Sequence, residues 1–285
     1  MTATTPVGPT ISRKIDLDAY FRRIGYTGAR DNSLDTLRAI HLAHVNAIPF
    51  ENLNPLSGLP VNIDPESIQR KLVHENRGGY CFEHNHLFMA VLEELGFQVK
   101  PLAARVMWNL PAGTVTPRGH MLLLVIANGS HYIADTGFGG LTLPLPILLK
   151  ENILQMTTHE QFRLIENSGE YFLQANINQE WKALYRFFLH EQYHVDYEVT
   201  NYFLSTNPVS HFTYTLLAAR VDGDRRLALR NNEFAIHHNG NTTRRRIDSL
   251  DDLVSVLETH FRIRIPMHER VTMALAKVIE RGRES

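Results

Sequence analysis

The chain has 285 residues, 44% hydrophobic and 21% charged, which is the make-up of an ordinary globular protein with a sizeable core and a length suited to roughly two domains. Lys+Arg 29 against Asp+Glu 30 leave a formal charge of -1, so no global field draws the molecule to nucleic acid or an anionic membrane, and any anion it binds is held locally. MTATTPVGPT at the start lacks the basic and apolar segments of a leader, the apolar run 121–127 is far short of a spanning helix, and a single cysteine fits a reducing compartment. A cytoplasmic protein with no membrane and no nucleic-acid partner is expected.

Residues 16–96 read as a helical module. LDAYFRRIGY gives a first helix, SLDTLRAIHLAHVNAI a second stopped by Pro49, and DPESIQRKLVHEN a third opened by an Asp-Pro cap. Asn54-Pro55-Leu56-Ser57-Gly58-Leu59-Pro60 reads as the loop between the second and third. A fourth helix, CFEHNHLFMAVLEEL, starts at Cys81 and ends at Gly96. Beyond Gly96 the period changes. Strands are predicted at 97–106, 119–127 and 131–135, the last two joined by an Asn128-Gly129 hairpin turn, and again at 161–166, 171–175 and 182–189. An antiparallel sheet curling into a barrel is the expectation. Residues 197–204 read as a helix before the Asn207-Pro208 break. A third unit follows, with strands at 213–221, 226–230 and 242–246, turns at Asp222-Gly223 and Asn239-Gly240, and helices at 250–260 and 268–279.

Cys81 stands in Arg77-Gly78-Gly79-Tyr80-Cys81-Phe82-Glu83-His84-Asn85, in the first turn of the fourth helix, where free backbone N–H groups and the positive helix end favour a thiolate. A lone cysteine forms no internal disulfide, which leaves a packed hydrophobe, a metal ligand or a nucleophile. A nucleophile needs an imidazole to take its proton and an acceptor to orient that imidazole. His120 opens the apolar strand GHMLLLV and Asp135 closes the next, in IADTGFGG, so pairing through the Asn128-Gly129 turn brings Asp135 to the His120 end. Taken singly, a packed cysteine, a structural histidine and a turn-forming aspartate are the commoner readings of these residues, and the glycines need only tight turning; the combined pattern is much rarer than its parts. Cys81 and His84 share a helix face while His86 points away, so two ligands converge where zinc takes three or four, and no metal is expected. Asn85 faces the same region as Cys81, as a hydrogen-bond partner or a packing residue. Glu51 and Arg77 read either as a buried pair fixing the loop before Cys81 or as two solvated groups. Arg244-Arg245-Arg246 reads as a solvated strand face in preference to a phosphate contact.

RGGYCFEHN, GHMLLLV and ADTGFGG together resemble the cysteine, histidine and aspartate segments of the bacterial arylamine N-acetyltransferase family. FENL at 50–53, STNPVSHF at 205–212 and LETHFRI at 257–263 resemble further family segments in the same order. The resemblance implies an α+β fold of three domains with a cysteine-protease-like catalytic core: an N-terminal helical bundle (1–96), a central β-barrel (97–204) and a C-terminal α/β lid (205–285). It implies Cys81 as the acyl-accepting nucleophile, His120 as its base and Asp135 as the residue orienting His120, with Arg77 and Glu51 as a structural ion pair and Asn85 in support. Acetyl-CoA is implied as cosubstrate, with no permanently bound cofactor, and small aromatic amines, hydrazines or hydroxylamines as acceptors. Gly137, Phe138, Gly139, Gly140, Thr206, Asn207 and Ser210 are the candidate CoA contacts, although turn and capping roles explain them too. Phe50, Tyr80, Phe138 and Phe212, with Phe82, are candidates for the acceptor pocket, core packing being expected for at least half of them. Thr136 replaces the family's usual Val and is expected to add a hydroxyl near the acyl or acceptor pocket. The competing expectations are transfer from malonyl- or propionyl-CoA, a thiol hydrolase, and a binding module with an unreactive Cys81; a monomer or a homodimer fits equally.

Overall fold

The computed structural model describes residues 15–111 and 113–284. Helix α1 (Leu17–Ile24) starts on the Asp16 carboxylate, which accepts from the Ala19 N–H, and α2 (Leu34–Ala47) starts on Ser33. A short strand β1 (Phe50–Glu51) runs directly into α3 (Leu53–Leu56), so the segment predicted as a loop begins with a helical turn. Helix α4 (Pro65–Gln69) opens on the predicted Asp64-Pro65 cap and continues as a π-helical turn, Arg70–His74. Helix α5 (Cys81–Glu94) is buried over its first twelve residues, which is why its sequence shows no polar face.

The second half of the fold is built on two antiparallel sheets. Strands β2 (Gln98–Val106), β3 (His120–Ala127), β4 (Ser130–Ala134), β5 (Ile147–Leu148), β6 (Gln155–Met156), β7 (Gln161–Asn167), β8 (Glu170–Ile177) and β9 (Glu180–Glu191) form an eight-stranded sheet in the order β5-β4-β3-β2-β9-β8-β7-β6. It is nearly closed, because the Gln155 amide bonds both backbone groups of Leu148 (2.7 and 2.9 Å) and Glu151 bridges to Leu164. Asn128 and Gly129 turn the β3–β4 hairpin at φ 48 and 73, as the sequence predicts. The unbroken apolar run of β3 has a simple cause. Met121, Leu123, Val125 and Ala127 join the helical core, while Leu122 and Leu124 point into the barrel-like sheet.

After α6 (His194–Thr206) and a 3-10 turn, His211–Thr213, come β10 (Leu217–Asp222), β11 (Arg225–Arg230), β12 (Glu233–His238), β13 (Asn241–Arg246), α7 (Leu250–Thr259) and α8 (Glu269–Glu284). The strand expected from residue 213 therefore starts later. Strand β12 was not predicted, since EFAIHH lacks clean alternation, and it is held by pairing on both sides. The second sheet has the order β1-β10-β11-β12-β13, and β1 joins it through Phe50↔Ala219 and Glu51↔Ala218. Three separate cores result: the helices with α6 and one face of β3, the interior of the eight-stranded sheet, and the space between the second sheet, α7 and α8. Strand β13 is exposed, and Arg245 pairs with Asp252 at 2.6 Å, in keeping with the solvated reading of the arginine run. Among the described residues no helix is long and apolar enough to cross a membrane.

Candidate active site

The segment before Cys81 is threaded against β1. Glu51 N–H donates to the Gly79 carbonyl at 2.8 Å, and Gly79 N–H donates to the Pro49 carbonyl at 3.3 Å. A Cβ at Gly78 would stand 2.0 Å from the Pro49 oxygen, so close backbone approach requires glycine there. The Glu83 carboxylate then accepts the Tyr80 N–H at 3.1 Å, half of a capping box that fixes the start of α5. Below this turn four charges are buried. Arg77 donates to Glu51 Oε1 through Nε (2.9 Å) and Nη2 (2.6 Å), and Lys71 Nζ donates to Glu83 Oε1 at 2.7 Å while standing 3.9 Å from Glu51. Burial pushes Glu51 upward, but Arg77 and Lys71 together hold its pKa below the usual carboxylate range. For Glu83 burial prevails over Lys71 and the pKa is raised. The sequence singled out Glu51 and Arg77, which meet; it missed Lys71 and Glu83, although the capping-box spacing pointed to the latter.

Cys81, His120 and Asp135 converge at the α5 terminus. The Cys81 thiol lies 3.7 Å from the carbonyl of Gly119, the residue before His120, and is among the groups that raise the His120 pKa. His120 Nε2 is 2.7 Å from Asp135 Oδ2, which leaves Nδ1 for the thiol. The β3–β4 register, Leu123↔Ala134, carries Asp135 toward His120. Asp135 is completely buried, and its Oδ1 accepts from Asn85 Nδ2 and from the Gly137 N–H, each at 3.0 Å. Burial disfavours charge on His120, yet the Asp135 carboxylate reverses the balance and lifts its pKa to about 10. Asp135 is held low by the same partner against its own burial. An imidazole that readily holds a proton between a thiol and a carboxylate can generate a thiolate and later return the proton.

A family profile described as N-acetyltransferase matches residues 33–270, and the arylamine N-acetyltransferase of Mycobacterium tuberculosis is 41% identical over 272 residues, covering 94% of this chain and 93% of the relative. The chain belongs to the arylamine N-acetyltransferase family. The arylamine N-acetyltransferase of Escherichia coli is 42% identical over 248 residues, covering 86% of this chain and 88% of the relative. The structure of Mycobacterium marinum arylamine N-acetyltransferase in complex with CoA matches with a TM-score of 0.89 at 40% identity, covering 92% of this chain and 99% of that one.

In this arylamine N-acetyltransferase family member, Asn85 satisfies all of its amide bonding: Nδ2 donates to Met121 O and Asp135, and Oδ1 accepts from the Thr136 N–H at 3.0 Å and its hydroxyl at 3.3 Å. The Thr136 hydroxyl, expected near the acyl or acceptor pocket, is buried and donates to Asn85. Phe138 packs against the His120 ring (centroids 5.2 Å), while half-buried Phe212 packs against both Phe50 and Tyr80, and Gly139 lies under Phe50. Tyr80 and Phe82 are core residues, the Tyr80 hydroxyl being bonded to Asn201. Gly137 is packed on the Cys81 backbone, whereas a Cβ at Gly140 would meet nothing within 4 Å. Thr206 and Ser210 donate their hydroxyls to Tyr202 O and Leu204 O, and Asn207 Oδ1 accepts the Val209 N–H, so these side chains cap the end of α6. Both nitrogens of His84 are bonded within the core, to His44 and Pro49, and none faces Cys81 as a metal ligand. The sequence passed over His41, His44 and Tyr185. The Tyr185 ring lies 5.0 Å from that of His120, and burial, reinforced by Asp135, pushes its hydroxyl pKa well up. Buried Arg226 on β11 also went unread; it binds Glu160 and the Thr142 carbonyl (3.0 Å), tying the second sheet to the turn after Gly140.

Proposed function

We propose that the protein is an arylamine N-acetyltransferase that moves an acetyl group from acetyl-CoA to an aromatic amine, hydrazine or hydroxylamine through an acetyl-cysteine on Cys81. The observation that carries the reading is the buried His120, held 2.7 Å from Asp135 while the Cys81 thiol lies 3.7 Å from the carbonyl of the preceding Gly119, within a chain of this family. His120 takes the thiol proton, and the thiolate attacks the thioester carbonyl. The oxyanion is stabilised by backbone N–H groups at the α5 start, and CoA leaves as its thiol with the proton from His120. In the second half-reaction the acceptor nitrogen attacks the acetyl-cysteine carbonyl, gives its proton to His120, and Cys81 is released. Aromatic amines are weak bases, so they arrive unprotonated near neutral pH.

The same reading divides the chain into helical (1–96), barrel (97–204) and lid (205–285) domains around a cysteine-protease-like centre, a division supported by the three separate cores and bridged by β1 and α6. The pantetheine arm is assigned to the open backbone at Gly140, next to Gly139 and Phe138. The acceptor ring is assigned to the half-buried Phe50, Phe138 and Phe212. Intact mass after brief exposure to acetyl-CoA tests the function: a gain of about 42 Da that needs Cys81 and disappears as acetylated amine accumulates is expected. Absence of the adduct with no CoA release refutes the reading. CoA release that ignores the amine would make the protein a hydrolase.

A further inference from the structure

Three imidazoles outside the Cys81–His120–Asp135 cluster are fully buried: His41 and His44 on α2, and His84 on α5. Their hydrogen bonds have a direction. His84 Nε2 stands 3.0 Å from the Pro49 carbonyl oxygen, which only accepts, so Nε2 carries the proton and Nδ1 is a lone pair. His44 Nε2 lies 2.9 Å from that nitrogen and must donate to it. His44 Nδ1 is then left to accept from the Tyr20 hydroxyl, 2.9 Å away. Burial favours neutral rings, and with both imidazoles neutral the chain Tyr20, His44, His84, Pro49 has one arrangement of protons. His41 is fixed likewise. Its Nε2 accepts the Asp135 N–H at 3.2 Å, which leaves the Nδ1 proton directed at the Pro144 carbonyl, 3.3 Å away.

Both chains end where the Cys81–His120 pair is held. The Pro49 oxygen is the acceptor for Gly79 N–H and the atom against which Gly78 is packed, so it sets the path of the backbone into Cys81. The Asp135 backbone carries the carboxylate that holds His120. His41 and His44 are three apart on α2 and share a face, so one helix supports both halves of the site. We propose that His44 and His84, with His41, are positioning residues for the transfer reaction: neutral imidazoles that fix the Pro49 carbonyl and the Asp135 backbone and thereby the approach of Cys81 to His120. The proposal rests on Cys81 being the acylated nucleophile. Burial agrees with it, since it drives the pKa of His41 and of His84 down to about 4.

The test compares His84→Leu, His84→Gln and Tyr20→Phe with the native chain, reading alkylation of Cys81 by iodoacetamide against pH and single-turnover acetylation by acetyl-CoA. His84→Leu is expected to slow both about 10²-fold with circular dichroism retained, as a misplaced reacting group does. His84→Gln, which keeps one donor and one acceptor, restores the rates to within about fivefold, and Tyr20→Phe costs about fivefold, the loss of one buried hydrogen bond. A His84→Leu protein that melts earlier yet alkylates at the native rate with the native pH profile overturns the proposal. If that variant does not fold, Tyr20→Phe and the tautomers of the native protein decide: 15N NMR is expected to show neutral Nε2–H rings for His44 and His84 and an Nδ1–H ring for His41, and other tautomers overturn it. A native protein that alkylates but is not acetylated refutes the transferase reading alone, because the alkylation series still reports on positioning.

Discussion

Gly137→Ala probes the closest contact in the site. A Cβ at Gly137 would stand 2.7 Å from Cys81 Cα and 3.1 Å from both the Cys81 carbonyl oxygen and Asn85 Nδ2. Gly137 is not among the residues at positive φ, so the effect is steric and not conformational. Ordinary contact begins at 3.4 Å, and the Asp135–Gly137 turn must retreat from α5 by about 0.7 Å to reach it. The turn carries the Asp135 carboxylate with it, since the Gly137 N–H is bonded to Oδ1 at 3.0 Å. Overpacking of this kind costs about 1–3 kcal/mol, and at about 2–4 °C per kcal/mol the Tm falls by about 2–12 °C. Displacing the carboxylate from His120 by that distance slows Cys81 acetylation by about 10- to 10²-fold. Quenched single-turnover mass spectrometry gives the rate and scanning fluorimetry the Tm. Gly140→Ala is the stability control, its Cβ meeting nothing within 4 Å, and its Tm stays native. A native rate and Tm for Gly137→Ala would refute the reasoning.

Lys71→Met leaves the buried Glu83 and Glu51 carboxylates short of a cation and is expected to cost about 3–5 kcal/mol in urea denaturation, with Glu83→Gln in the same chain returning part of it; equal stability of the single and native proteins contradicts the pairing. His41 and His84 titrate near 4 when folded against an ordinary value of 6.5, so the unfolded chain binds more protons between those values and stability declines as pH falls through the window. Each ring accounts for up to about 3 kcal/mol. The groups bearing on them are Asp135, Lys71 and Glu51, with His44 between them; urea midpoints that do not move between pH 7 and pH 4.5 would exclude the neutral assignment. The raised pKa of His120 works in the opposite sense, its contribution being complete below about 6.5 and lost as pH rises through about 10. Asp135→Asn removes the carboxylate responsible and is expected to slow acetylation by about 10³- to 10⁴-fold, with the alkylation profile of Cys81 displaced; an unchanged profile would show that Asp135 does not govern the ring.

Much of this protein is legible along the chain because the signals are local. Asp16, Ser33 and Asp64 cap helices within three residues of themselves, and Asn128-Gly129 turns its hairpin from within. The segments around Cys81, His120 and Asp135 are recognisable for the same reason, and the hairpin register alone brings Asp135 to the His120 end. Tertiary structure decided what depends on distant partners. It put β1 into the second sheet, turned the Thr136 hydroxyl onto Asn85, joined Lys71 to Glu83, and directed Thr206, Asn207 and Ser210 to the end of α6. His41, His44 and His84 show the limit most clearly. Each bonds to groups far away in the chain, and nothing within four positions marks its partner. Only the packing of α1, α2 and α5 removes water from these rings, and without water each nitrogen must find a protein donor or acceptor, which fixes its proton and its role.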